Sequence, residues 1–207
     1  MKAFVFDTDG VVCVGQSFSV ALEKQHHISR DQLAPFFTGP FVECLLGRRD
    51  LKKAIADYVV EWGWRGSVDD LLAFWFQQEH VLCSRALACV RALRRRGHLC
   101  VLGTNQEAHR AAYLREQMRL AEEFDWIFPS CELGVAKPAL EFFRTVQERL
   151  KLRSADLCLV DDSDRNITGA RTAGWSAIWY RSTADIPTIE KEANQTSQST
   201  RFARPAS

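Results

Sequence analysis

Two aspartates one residue apart, Asp7 and Asp9, follow the apolar run Ala3–Phe6, and Gly10 comes directly after them. On an extended chain residues two apart share a face, and a glycine lets the backbone then turn sharply away. Carboxylates placed together in this way repel each other, and a cation is the cheapest relief. A second acidic pair, Asp161-Asp162, follows the apolar run Leu157–Val160. Beside the first pair it makes four carboxylates around one spot, oxygen ligands of the hard kind that magnesium takes. Asn166, four residues beyond Asp162, can reach back from the following helix to orient them. Thr104-Asn105 and Lys137-Pro138 add a hydroxyl, an amide and an ammonium, groups that hold phosphoryl oxygens and stabilise the charge that spreads over them in transfer. Each feature has a plainer reading alone. Asp7-x-Asp9 and Thr104-Asn105 can be turns, Asp161-Asp162-Ser163 can cap a helix starting near Asp164, and Lys137 can be a surface lysine. The joint case favours chemistry, because all four fall in loops at strand carboxyl ends, where α/β proteins bind ligands.

The elements that must position these residues are five short apolar runs: Ala3–Phe6, Leu99–Leu102, Trp126–Phe128, Leu157–Val160 and Ala177–Trp179. Runs of this kind suit strands buried on both faces, and helical patterns separate most of them, which predicts a parallel sheet in an α/β fold. Ala86, Val90 and Leu93 share one helical face, Gly97 stops that helix, and Arg94, Arg95 and Arg96 fall in its last turn, a solvated end that suits the dipole. Pro138 is expected as the first residue of a helix whose core face carries Phe142 or Phe143, Val146 and Leu150. More than a crossover helix separates the first two runs. Asp50 can cap a helix bearing Leu51, Ile55, Tyr58, Val59 and Trp62, and Ser67-x-x-Asp70 opens another bearing Leu71, Leu72, Trp75, Phe76 and Leu82. The expected organisation is a core of residues 1–14 and 85–187, a helical insert of residues 15–84, and a flexible polar tail of residues 188–207.

Twenty-seven basic and 26 acidic side chains leave a net charge of +1, which gives no field for nucleic acid or an anionic membrane; the partner should be small. Seven cysteines, an odd number without a C-x-x-C pair, read as buried thiols of a reducing cytosol, so the expected location is the cytoplasm. Asp7 arrives too early for a signal peptide's apolar region, and no window reaches the ~20 apolar residues of a membrane span. His80, His98 and His109 lack metal-ligand spacing, and Arg48 and Arg49 read as solvated residues of the insert.

In order, Asp7-Thr8-Asp9-Gly10-Val11-Val12, Thr104-Asn105, Lys137-Pro138 and Asp161-Asp162 with Asn166 resemble the four motifs of the haloacid dehalogenase superfamily, from the start of the chain to about Trp179. The resemblance implies a Rossmann-like core with a helical cap inserted after the first motif. It implies Asp7 as nucleophile and Asp9 as general acid and base. Magnesium would be held by an Asp7 oxygen, the Asp9 main-chain carbonyl and Asp162, supported by Asp161 and Asn166. Thr104, Asn105 and Lys137 would bind the phosphoryl group. Asn166 stands where many relatives carry a second aspartate, and a neutral amide can still hold a metal-bound water. Asp9 then chooses the reaction: displacing a halide needs no acid beside the nucleophile, whereas an alkoxide leaving group needs a proton. The expected activity is magnesium-dependent hydrolysis of a small phosphomonoester, such as a sugar phosphate. A sugar-phosphate mutase and a non-catalytic phospho-ligand-binding module are the alternatives.

Overall fold

The computed structural model describes residues 1–199, with side chains to residue 195. Five parallel strands, β1 (Ala3–Phe6), β2 (Leu99–Thr104), β3 (Trp126–Pro129), β4 (Leu157–Asp161) and β5 (Ser176–Trp179), form one sheet in the order β3-β2-β1-β4-β5. Period-2 alternation divides each strand between two covered faces. Phe4, Phe6, Cys100, Leu102, Cys158 and Val160 pack on one side with the helix α6 (Ser84–Arg95), while Ala3, Val5, Val101, Leu157 and Leu159 pack on the other with α10 (Leu140–Leu150) and α11 (Asp164–Thr172). Strands β2 and β3 build outward from one side of β1, and β4 and β5 from the other. The order therefore reverses at β1, and an α/β sheet has its ligand crevice at the carboxyl ends of the strands at such a point.

Between β1 and α6 stand five helices, α1 (Phe18–His26), α2 (Arg30–Thr38), α3 (Pro40–Leu45), α4 (Leu51–Glu61) and α5 (Val68–Gln78). They enclose a hydrophobic cluster of their own, including Phe18, Leu33, Phe36, Ile55, Trp62, Leu71 and Trp75. Asp50 caps α4 by accepting from Lys53 N at 3.0 Å, and Ser67 and Asp70 form the capping box of α5. Entry to and exit from this insert run side by side: Val14 N donates to Val81 O at 2.8 Å and Cys83 N to Val12 O at 2.8 Å. The remaining helices are α7 (Ala108–Glu116), α8 (Leu120–Glu123), α9 (Ser130–Leu133) and α12 (Ile186–Ser199).

Three expectations are corrected. Leu82 is not part of α5, which ends at Gln78, and instead bridges to Cys13 where the chain leaves the insert. Pro138 is not the first residue of α10; Ala139 N closes a turn on Ala136 O at 3.0 Å, and Ala139 itself is the extended cap before Leu140. The run from 188, expected as a flexible tail, is helical as far as Ser199. Its polar composition hides Ile189 and Ala193, four apart on one face, which are buried against the sheet, and Lys2 pairs with Glu192. Residues 200–207 of that expectation lie outside the described residues.

Candidate active site

Asp7 is the first residue past β1, and its N–H continues the sheet by donating to Val160 O of β4 at 2.9 Å. Asp161 ends β4 on the neighbouring strand. Their shared cation is Lys137, whose ammonium has no exposed surface and lies 2.9 Å from Asp7 Oδ1 and 2.6 Å from Asp161 Oδ2. Burial pulls the lysine's pKa down, but the two carboxylates outweigh it and hold it above its ordinary value. For Asp7 the balance goes the other way. Burial pushes its carboxyl well above the usual carboxylate range, Lys137 pulls back, and Asp161 and Asp9 add repulsion. Asp162 is raised for similar reasons, burial first and then Asp161.

Asp161 has little acceptor capacity left. Oδ1 accepts from Ser163 N and Asn166 Nδ2, both at 2.9 Å, and Oδ2 from Asn166 Nδ2 at 3.1 Å as well as from Lys137. Asp162 is exposed, and a Cβ on Gly10 would fall 2.1 Å from its Oδ2. Gly10 has φ +79°, a conformation glycine adopts without strain, so this residue serves both the turn and the close approach of Asp162. Among the described residues, Asp7, Asp161 and Asp162 can each bring a carboxylate oxygen to within 4.8 Å of the others. This donor set, all of it carboxylate oxygen, suits a hard divalent cation.

Thr104 ends β2 and is 1% exposed. Asn105, expected among the phosphoryl ligands, spends both ends of its amide on the main chain of Lys137: Nδ2 donates to Lys137 O at 2.9 Å, and Oδ1 accepts from Lys137 N at 2.8 Å. Its side chain therefore seats the lysine. Asp9 is not one of the three clustered carboxylates; Gln106, in the β2–α7 loop, donates from Nε2 to Asp9 Oδ2 at 2.5 Å. A cavity of about 120 Å³ lies against it, lined by Asp9, Gly10, Cys13, Gly15, Ser17 and Glu79. Larger grooves of about 370 Å³ beside Thr168 and about 530 Å³ beside Trp64 contain none of the acidic cluster.

Gln106, Glu79 and Arg110 are neighbours of Asp9 that sequence reasoning missed. One signal was available for Arg110, which stands four residues before Leu114 on the buried face of α7. Nothing local marks Gln106 or Glu79.

A family model described as haloacid dehalogenase-like hydrolase matches residues 1–174. The chain is 28% identical over 102 residues to bifunctional epoxide hydrolase 2 of Rattus norvegicus, a match covering 47% of this chain and 18% of that protein. It is 32% identical over 91 residues to the sesquiterpene phosphatase astK of Aspergillus oryzae, covering 44% of this chain and 46% of that one. The matches thus span less than half the length of either relative. The structure of a haloacid dehalogenase family enzyme from Bacteroides thetaiotaomicron, in complex with magnesium and inorganic phosphate, is similar in fold, with a TM-score of 0.74 at 20% identity over 86% of this chain and 93% of that one. The parallel sheet, with an acidic pair at each of two adjacent strand ends, and a family match running from the first residue to the turn before β5 identify the chain as a member of the haloacid dehalogenase-like hydrolases.

Proposed function

We propose that this hydrolase is a magnesium-dependent phosphatase that removes the phosphoryl group from a small phosphomonoester through an aspartyl phosphate on Asp7. The observation that carries the reading is the pairing of Asp7 with the buried ammonium of Lys137 at the end of the central strand, with a second carboxylate, Asp9, two residues on beside a cavity. The phosphatase among its relatives and the phosphate-bound structure of similar fold support it.

In the first step an Asp7 oxygen attacks phosphorus, the bond from phosphorus to the ester oxygen breaks, and Asp9 gives its proton to the departing alkoxide. Water then attacks the phosphorus of the aspartyl phosphate, Asp9 takes a proton from it, and inorganic phosphate leaves with Asp7 restored. Lys137 offsets the charge on Asp7 and, with Thr104, receives phosphoryl oxygens. Asp7, the Asp9 main-chain carbonyl and Asp162 would hold magnesium, which supplies positive charge against the transferring phosphoryl group. Asp161, its oxygens already engaged, and Asn166 keep Lys137 and the neighbouring turn in place.

Asp9 argues against halide displacement, which has no use for a proton donor beside the nucleophile. The test is turnover of aryl and alkyl phosphates after dialysis against a chelator. Metal-free protein should lose about a hundredfold or more in rate and recover on addition of magnesium. Undiminished turnover without metal would remove magnesium from the reading, and no turnover on any phosphomonoester with magnesium present would remove the phosphatase.

A further inference from the structure

Arg110 is 2% exposed, yet its Nε and Nη2 atoms are buried without a hydrogen-bond partner among the described residues. A guanidinium has five donors and cannot shed its charge, so leaving donors unmatched in the interior is costly. The surroundings explain how it is held. The group lies 5.5 Å from the ring centre of Phe76, on α5 of the insert, and 5.4 Å from that of Tyr113 on its own helix, and Nη1 reaches Met118 Sδ at 3.6 Å. Nη2 faces two carboxylates, 3.8 Å from Asp9 Oδ1 and 3.6 Å from Glu79 Oε2, within ion-pair reach and just beyond hydrogen-bond length.

Both carboxylates matter to the site. Glu79 closes α5, and its Oε1 accepts from Phe18 N at 3.3 Å and from the Trp75 indole at 3.0 Å, so its carboxylate is fixed to the insert. Asp9 belongs to the core, and its side chain is 51% exposed, with little packing to set its orientation. Gln106 holds one of its oxygens, and Arg110 stands at the other.

We propose that Arg110 is a positioning residue for Asp9: it fixes the Oδ1 side of that carboxylate opposite Gln106, and Glu79 and Phe76 of the docked insert seat its guanidinium. The orientation of the proton donor is thereby tied to the position of the insert over the site. A general acid works only when its carboxyl lies within hydrogen-bond reach of the departing oxygen, and a small misplacement is expensive. The assignment rests on the reading of Asp9 as general acid and base, and it reaches beyond the four motifs to a helix that carries none of them.

The test compares the full chain with Arg110→Gln, Arg110→Lys, Asp9→Asn and the double variant Asp9→Asn/Arg110→Gln, each with magnesium on an aryl and an alkyl phosphate. Arg110→Gln should lose about tenfold or more in kcat on the alkyl ester and far less on the aryl ester, with KM moving less than about twofold on either. Arg110→Lys should recover part of that loss. In the Asp9→Asn background the glutamine should cost almost nothing further, because the carboxyl it would misplace is gone. Equal losses on both esters, no loss on either, or full additivity with Asp9→Asn would overturn the proposal, since an arginine that merely supports the fold is blind to the leaving group. If Arg110→Gln does not fold, Arg110→Lys carries the test, and its alkyl-to-aryl ratio must fall between those of the parent chain and Asp9→Asn. A parent chain inactive on both esters removes the phosphatase reading together with this one. An active parent whose leaving-group dependence appears in Asp9→Asn alone keeps that reading and removes only the role of Arg110.

Discussion

Lys137 carries the electrostatics of the site. Its ammonium has no exposed surface and faces Asp7 and Asp161, so deleting it strands two carboxylates in a buried place with no cation between them. Lys137→Met should therefore destabilise the metal-free protein by about 3–5 kcal/mol, the scale for breaking a buried pair from one side, as read by urea denaturation. Unchanged stability would mean that the two aspartates do not rely on it. Lys137 was legible in the sequence through its company. Asp7, Asp9, Asp161 and Asp162 were legible through repetition, because two acidic pairs, each just past a buried apolar strand, repel one another unless a cation joins them. Asn105 was legible as a member of the site, but its task was not. Whether an amide faces a ligand or clasps the main chain of Lys137 depends on how two distant loops meet. Gln106, Glu79 and Arg110 were illegible for the same reason: each acts through tertiary contacts, and a glutamine after a strand or an arginine on a helix is ordinary by local rules.

Strands were the easiest elements to read, since a buried parallel strand is a short apolar run and little else in this chain is. Their ends ran on beyond the apolar residues, β2 to Thr104 and β4 to Asp161, because sheet pairing continues into the very residues that do chemistry. Helix α12 was missed because two buried residues in a polar run are too weak a periodic signal. The insert's seat on the core was also beyond sequence reading, and one of its contacts turns on a glycine. Gly47 lies in the loop between α3 and α4, has φ +69°, and a Cβ there would fall 2.1 Å from the main-chain oxygen of Cys131 in α9. That oxygen cannot swing aside as a side chain can, so Gly47→Ala should lift the insert as well as strain its own backbone by about 1–2 kcal/mol. The expected outcome is a severalfold loss in kcat/KM that exceeds what the small drop in melting temperature explains. Kinetics equal to the parent chain would show that this contact has no part in covering the site.

At the scale of the molecule, the net charge is +1, and among the described residues no helix is long and apolar enough to cross a membrane. The cavity beside Asp9, about 120 Å³, is well below the ~300–1,000 Å³ typical of pockets that take whole small molecules. Under the proposed function that space would take the leaving group of a small ester, and admitting a larger one would call for the paired linkers at Val14 and Val81 to yield. At the centre of the proposed function Asp7 takes the phosphoryl group while Asp9 handles the proton. Asp9→Asn tests it directly, since an aryl phosphate departs without a proton and can still load Asp7, whereas the water that should release the phosphoryl group has lost its base. Mass spectrometry of that variant mixed with an aryl phosphate should find added phosphoryl mass on the peptide containing Asp7, and none when Asp7→Asn is combined with it. An adduct on any other residue, or a variant that turns over alkyl and aryl phosphates like the parent chain, would contradict the account.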